Sequence, residues 1–322
     1  MPDHAAGPRR AVAVNGPDEA LIGLLRALSA AEYRFVTVTP ETHRRVLERE
    51  RGRLARDLRG VFGWNLPFER SLLPAPLWEA LAESGMVLPE GPLFRSGVRV
   101  ASLGERLFLH SAFPTDSENS VFFGPDSYRY ARFLEAEIPR LAPVRGLVDI
   151  GAGSGVGAIA AAALLPPDAR LVATDINPLA LRFARINARH SGVDLETVQA
   201  SGLEAVEGPV DLAIANPPFV ADPAGRLYRD GGDMHGARLS LDWALAAARR
   251  VDPKGAVLLY TGSAIVEGRD ALREALAEQL PELGWSLRYA EIDPDIFGEL
   301  LDQRGYEEVE RVAAVGALIS KA

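Results

Sequence analysis

The chain has 322 residues, 48% hydrophobic and 25% charged, the balance of a globular protein with room for two domains of ~150 residues each. A formal net charge of −9 argues against wide, non-specific nucleic-acid contact, which needs Lys and Arg to neutralise phosphates, but leaves a local basic patch open. The absence of cysteine excludes disulfides, thiolate catalysis and cysteine metal sites.

No apolar run reaches the ~20 residues that span a bilayer. The opening Met1-Pro2-Asp3-His4 lacks the basic-then-apolar layout of a signal peptide, so the expected location is cytoplasmic, with no membrane partner.

Residues 1 to about 15 read as a loose tail. From Asp18 to Ala31 the positions Leu21, Ile22, Leu24, Leu25 and Leu28 give a helical stripe. Phe35-Val36-Thr37-Val38 reads as a short strand, and Pro40-Glu41-Thr42 opens a second helix. That helix carries His43, Arg44, Arg45, Arg49, Arg51, Arg53, Arg56 and Arg59. Its arginines are either a surface for RNA, ribosome or an acidic protein, or a solvated face laced with Glu48, Glu50 and Asp57. The interleaved acids favour the solvated face. A third helix is expected from Pro76 to Ser84, ending near Gly85. The runs Gly97–Ser102 and Arg106–His110 fit a hairpin. Residues 1–110 therefore read as a small α+β module for substrate recognition, winged-helix-like in its order. The polar stretch Ser111–Ser120 is the linker to a second domain over 121–322.

In that second domain strands and helices alternate. The strand candidates are Leu147–Ile150, Leu171–Asp175, Leu195–Gln199, Leu212–Ala215, Ala256–Thr261, Ser286–Ile292 and Val309–Ile319. Helices are expected between the first six, one of them with Leu179, Phe183 and Ile186 on one face and Arg182, Arg185 and Arg189 pointing away. This order predicts a doubly wound, Rossmann-like α/β sheet of seven strands, mostly parallel, with an antiparallel last strand; the last two strands, with no helical pattern between them, should pair antiparallel at one edge.

Val148-Asp149-Ile150-Gly151-Ala152-Gly153-Ser154-Gly155 follows the first of these strands and opens a helix. Glycines allow a sharp turn and close approach of a ligand to the main chain, and a helix amino end offers free N–H groups to an anion. Asp175 ends the next strand, 24 residues after Gly151, where an acid meets ribose hydroxyls in such folds. Read from Gly153, the string fits the dinucleotide pattern G-x-G-x-x-A. Read from Gly151, it keeps the turn tight against the strand and suits a nucleoside bearing an amino acid.

After Val210-Asp211-Leu212-Ala213-Ile214-Ala215 comes Asn216-Pro217-Pro218-Phe219, at the carboxyl end of a strand, where open α/β sheets keep their chemistry. Two prolines cannot donate to a ladder and lock φ, and Asn216 is held extended because it precedes proline. The stiff loop presents an amide, carbonyl oxygens and a ring, which suits gripping a planar NH2 group.

Taken in order, the glycine loop, Asp175 and Asn216–Phe219 resemble a class I S-adenosylmethionine-dependent methyltransferase acting on nitrogen. The resemblance is to the HemK-type protein glutamine N5-methyltransferases and their methyltransferase small domain relatives, over about residues 121–320. It implies S-adenosylmethionine as cofactor, in preference to NAD. Gly151, Gly153 and Gly155 would wrap the methionine part, with Asp149 near its ammonium. Asp175 would take the ribose, and Ile176 would lie against adenine. Asn216 and the Pro217 carbonyl would bind the target NH2, with Phe219 beside it and Asn216 also near the cofactor. Val121–Tyr128 resembles the motif before the glycine loop, with Ser127 near the cofactor carboxylate, at shorter spacing than usual.

Two departures stand out. Ser201-Gly202-Leu203 replaces the acid that often binds the adenine amine, so Ser201 or backbone would serve instead. Arg229-Asp230-Gly231-Gly232-Asp233-Met234-His235-Gly236 resembles the family's glycine-rich segment with altered spacing, and is expected to form a lid or substrate mouth.

The implied reaction needs positioning and acceptors more than a base, so neither a catalytic role for His235 nor a metal is expected. The acceptor reads as a protein glutamine side chain. A small amine, amide or guanidine remains an alternative, as does an RNA base amine. A non-catalytic scaffold is disfavoured by the intact Asn216 and Phe219. Arginines forming a contiguous face would favour RNA, and acids folded among them a protein or small molecule.

Overall fold

The computed structural model describes residues 16–49, 52–115, 117–220 and 230–321. The expected amino-terminal tail, Glu50, Arg51 and Arg229 lie outside these residues. Among the described residues the N-terminal module holds four α-helices: α1 (Gly16–Ala30), α2 (Pro40–Arg49), a short α3 (Leu58–Phe62) and α4 (Ala75–Glu83). Two antiparallel hairpins follow, β1 (Val87–Glu90) with β2 (Leu93–Ser96), and β3 (Val98–Leu103) with β4 (Arg106–Ser111).

The arginine-rich helix is shorter than its composition suggested. Arg53 and Arg56 fall outside any helix, and Arg59 belongs to α3, which starts afresh because Asp57 accepts the Gly60 N–H at its amino end (2.7 Å). The expected strand Phe35–Val38 forms no ladder. It runs extended beside β3, anchored by Phe35 N–H to Ser102 Oγ, Ser102 N–H to Phe35 O and Thr37 N–H to Tyr128 Oη. Alternating burial of Phe35 and Thr37 gave it a strand's period without a partner strand.

The carboxy-terminal part opens with α5 (Pro125–Glu137) and then winds β5 (Gly146–Ile150), α6 (Val156–Ala162), β6 (Arg170–Asp175), α7 (Pro178–His190), β7 (Glu196–Gln199) and β8 (Leu212–Ala215). It continues through α8 (Arg238–Arg250), β9 (Ala256–Val266), the two-residue β10 (Arg269–Asp270), α9 (Ala271–Gln279), β11 (Trp285–Asp293) and β12 (Arg311–Lys321). The main sheet runs β11-β12-β9-β8-β5-β6-β7, with β10 beside β9. Five strands, from β7 to β9, are parallel, and β12 is antiparallel to both neighbours. The last two strands therefore pair antiparallel at one edge as expected, with β12 between β9 and β11 and β11 outermost.

No helix separates β7 from β8, against expectation. The connection turns at Gly202 and Gly208-Pro209, and drops Leu203 and Val206 into the core in place of a helix face.

The two parts share a core. Ala180, Phe183 and Ile186 of α7 join the cluster built by α1, α4 and the β3–β4 hairpin. Asn187, fully buried, takes the Leu109 N–H on its Oδ1 (2.8 Å) and donates to the Leu109 and Ser154 carbonyls. The α7 arginines do not simply face water. Arg182 pairs with Asp18 (2.6 Å), Arg189 with Glu19 (2.7 Å), and Arg185 donates to Thr197. Because the core is shared, Ile186→Val should cost about 0.5–1.5 kcal/mol. Urea unfolding should show a single transition shifted to lower denaturant, and two separate transitions would refute a common core.

Candidate active site

The carboxyl ends of β5, β6 and β8 meet at one cavity of about 730 Å³. Gly151, Gly153 and Gly155 all have positive φ (64°, 54° and 81°), so the loop after β5 coils left-handed at every second residue, where a side chain would be strained. A Cβ on Gly151 would lie 2.4 Å from the Trp243 ring of α8, while one on Gly153 would meet nothing within 4 Å. The loop is therefore packed on one side and open on the other.

Two carboxylates brace this loop. Asp175 Oδ2 accepts the Gly153 N–H (2.9 Å) and Oδ1 the Asn177 N–H (2.8 Å). Burial raises its pKa, and these backbone donors act against the rise. Asp149 is buried, with Oδ2 on the Ala158 N–H (2.8 Å) and Oδ1 on the Tyr130 hydroxyl (3.3 Å). Its desolvation pushes it up to about 7. Ile176, 43% exposed, and the exposed Ser201 sit at the ends of the adjacent strands β6 and β7 and line the cavity together. Ser127, buried near the start of α5, accepts the Gly124 N–H on Oγ (3.2 Å) and lines the cavity as well.

Asn216, Pro217, Pro218 and Phe219 line the same cavity. Asn216 is half-buried, and no described residue hydrogen-bonds its amide. Phe219 lies against Gly262 of β9, where an added Cβ would be 2.3 Å from its ring, and faces Phe297 at 6.0 Å between centroids.

The glycine-rich segment is not the mouth in its described part. Residues 230–236 do not line the cavity; they back the Asn-Pro-Pro-Phe loop. Gly231 N–H donates to Val220 O, and a Cβ on Gly236 would be 2.4 Å from Phe219 O, so both glycines permit close backbone contact. His235 faces Tyr306 instead of the cavity.

Sequence reasoning passed over several lining groups. Asp126 and Tyr130, one turn apart on α5, reach Tyr260 and Asp149. Trp243 comes from α8. Pro40, Glu41 and Arg44 of α2 bring the N-terminal module to the cavity's rim. The hint available for Asp126 and Tyr130 was their i, i+4 spacing on a helix that begins at Pro125.

A seven-strand sheet of this order, with a glycine cradle after its first strand and an acid after its second, defines a nucleoside-binding α/β protein of the class I methyltransferase kind. A family model described as "Methyltransferase small domain" matches residues 128–228. The chain is 35% identical over 156 residues to a release factor glutamine methyltransferase of Deinococcus radiodurans, covering 47% of this chain and 54% of that protein. It is 36% identical over 184 residues to a ribosomal protein L11 methyltransferase of Rhizobium meliloti, covering 52% and 59%. It is 31% identical over 146 residues to methyltransferase HEMK2 of Mus musculus, covering 42% and 68%. The chain thus spans little more than half the length of the first two relatives. It belongs to the S-adenosylmethionine-dependent methyltransferases of the HemK and methyltransferase small domain kind.

Proposed function

We propose that the chain methylates the nitrogen of a protein glutamine side chain, in a component of the translation apparatus in the cytoplasm. The observation that carries the reading is the Asn216 amide at the end of β8, open to the same cavity as the glycine cradle and bonded to no described residue. The cradle fits the cofactor. Gly153 leaves the main chain bare, and Asp175 and Ile176 line the same cavity, which supports a ribose and an adenine held beside them. Bound there, S-adenosylmethionine supplies a methyl group carried on a sulfonium.

The chain's own residues do the rest. Gly151, Gly153 and Gly155 surround the methionine part, with Asp149 near its ammonium and the Ser127 hydroxyl near its carboxylate. Ser201 takes the adenine edge. Asn216 Oδ1 and the Pro217 carbonyl accept the two N–H groups of the target, and Phe219 walls its plane. An amide nitrogen is a poor nucleophile because its lone pair is delocalised. Two fixed acceptors favour the pyramidal nitrogen and stabilise the positive charge that grows on it.

A protein acceptor is supported over RNA by the acids folded among the α2 arginines. Glu41 pairs with Arg44 (2.7 Å) and Arg45 (2.6 Å), and Glu48 also pairs with Arg44. The Arg44 hydrogen bond is the main cause that holds Glu41 down at about 2, so the rim is a neutralised ion-pair network at physiological pH. The names of the two bacterial relatives point the same way. The N-terminal module then serves recognition, since Pro40, Glu41 and Arg44 overhang the cavity.

Radiolabelled methyl transfer into a cell extract tests the reading. Label should enter the protein fraction and be recovered as methylglutamine after proteolysis; label confined to RNA or small molecules would overturn it.

The cofactor affinity should also depend on pH. Asp149, pushed up to about 7 by burial, is mostly protonated at pH 6, and its anion is the form that holds an ammonium. Affinity should therefore rise from pH 6 to pH 8, with proton release on binding below pH 7. Calorimetry in buffers of different ionisation enthalpy measures this, and a flat profile would remove Asp149 from the ammonium site.

A further inference from the structure

We infer that Asp126 is an acceptor-side residue whose carboxylate shares with Asn216 Oδ1 one N–H of the group being methylated, as a three-centre hydrogen bond. This rests on the methyl-transfer reading above and adds a second polar anchor to it.

Asp126 is the second residue of α5, is only 3% exposed, and lines the cavity. Its Oδ1 accepts the Tyr260 hydroxyl (2.7 Å) and faces Arg129 Nη1 at 3.5 Å. Its Oδ2 receives no hydrogen bond from another described residue. Arg129 is mainly committed elsewhere, to Asp293 at 2.8 and 3.1 Å. A carboxylate this buried is costly unless its oxygens find donors; besides Tyr260 and Arg129 it has its own backbone N–H, and it lines the cavity, where a ligand donor can reach it.

Strand order says which ligand it meets. Tyr130 and Tyr260 lie 6.0 Å apart, so two carboxylate–tyrosine pairs stand side by side, Asp149–Tyr130 and Asp126–Tyr260. Asp149 rises from β5, the strand that leads into the glycine cradle, with one hydrogen bond on each oxygen. Tyr260 rises from β9, and β8 lies between them. In the parallel register Ala215 faces Leu259, so Asn216 and Tyr260 are the next residues along their neighbouring strands. Asp126 is thus tethered beyond Asn216, on the side away from the cradle.

The ligand chemistry is an N–H donor, either an amide NH2 or an ammonium. The cofactor's own ammonium offers the same chemistry, and two cofactor analogues separate the sources. S-adenosylhomocysteine has that ammonium and nothing where the methyl group sits. Sinefungin has the same ammonium plus a second one in place of the methylsulfonium, pointing toward the acceptor side.

By calorimetry, Asp126→Asn should weaken sinefungin binding about tenfold, the scale of a lost charge-assisted hydrogen bond, while S-adenosylhomocysteine changes less than about twofold. Tyr260→Phe, which keeps the ring but frees the carboxylate, should shift sinefungin in the same direction by a smaller factor. Equal losses for both ligands would assign Asp126 to the cofactor's ammonium or to folding, and no loss for sinefungin would leave it without a ligand; either overturns the inference. A wild-type protein that binds neither analogue would instead end the methyl-transfer reading itself.

Discussion

Asp175→Ala is expected to weaken S-adenosylmethionine binding by about 10²–10³-fold. Each hydrogen bond to a charged group contributes about 1.5–3 kcal/mol, and a ribose presents two hydroxyls to this carboxylate. The residue also braces the cradle, since its Oδ2 holds the Gly153 N–H and its Oδ1 the Asn177 N–H. Both losses push the same way, so the fall should exceed that of a single hydrogen bond. Titration calorimetry at neutral pH measures it against a wild type expected to bind in the micromolar range. A variant that binds within threefold of wild type would remove Asp175 from the ribose site. Absence of binding by the wild type would defeat the cofactor assignment.

The second large effect separates binding from transfer. Asn216→Ala should leave cofactor affinity within about twofold yet lower methyl transfer by about 10²–10³-fold, the scale of removing one preorganised group that stabilises developing charge. Stability should hardly change, within about 0.5 kcal/mol, because no described residue loses a hydrogen bond when the amide goes. The backbone stays extended in the variant, since Pro217 still follows. Full activity in Asn216→Ala would sink the proposed grip on the acceptor nitrogen.

Much of the catalytic half was legible in the chain because its signals are local. Gly151, Gly153 and Gly155 mark left-handed turns that few other residues adopt, and all three have positive φ. Apolar runs such as Leu212–Ala215 read as buried strands and are fully buried. Prolines 217 and 218 forbid a ladder wherever they occur, so the loop after β8 could be placed without coordinates.

The misreadings came where period and propensity had no partner to act on. Phe35–Val38 alternates like a strand, yet nothing pairs with it along a ladder. The segment between β7 and β8 follows the fold's rhythm of helices but closes with turns. The arginines of α7 were legible as pointing away from its apolar face, but that α1 supplies Asp18 and Glu19 to meet two of them was not.

What the sequence determined by itself was the left-handed glycine loop after β5, the acid after the second strand, and the stiff loop that presents Asn216. Each is a property of a few consecutive residues and the φ values they permit. The tertiary structure alone decided the insertion of β12 between β9 and β11. It also decided the docking of the N-terminal module on α7 and the pairing of Asp126 with Tyr260 across 134 residues of chain. Those contacts depend on which apolar faces bury one another, and on which buried polar groups then find donors within reach. No stretch of neighbouring residues records that information.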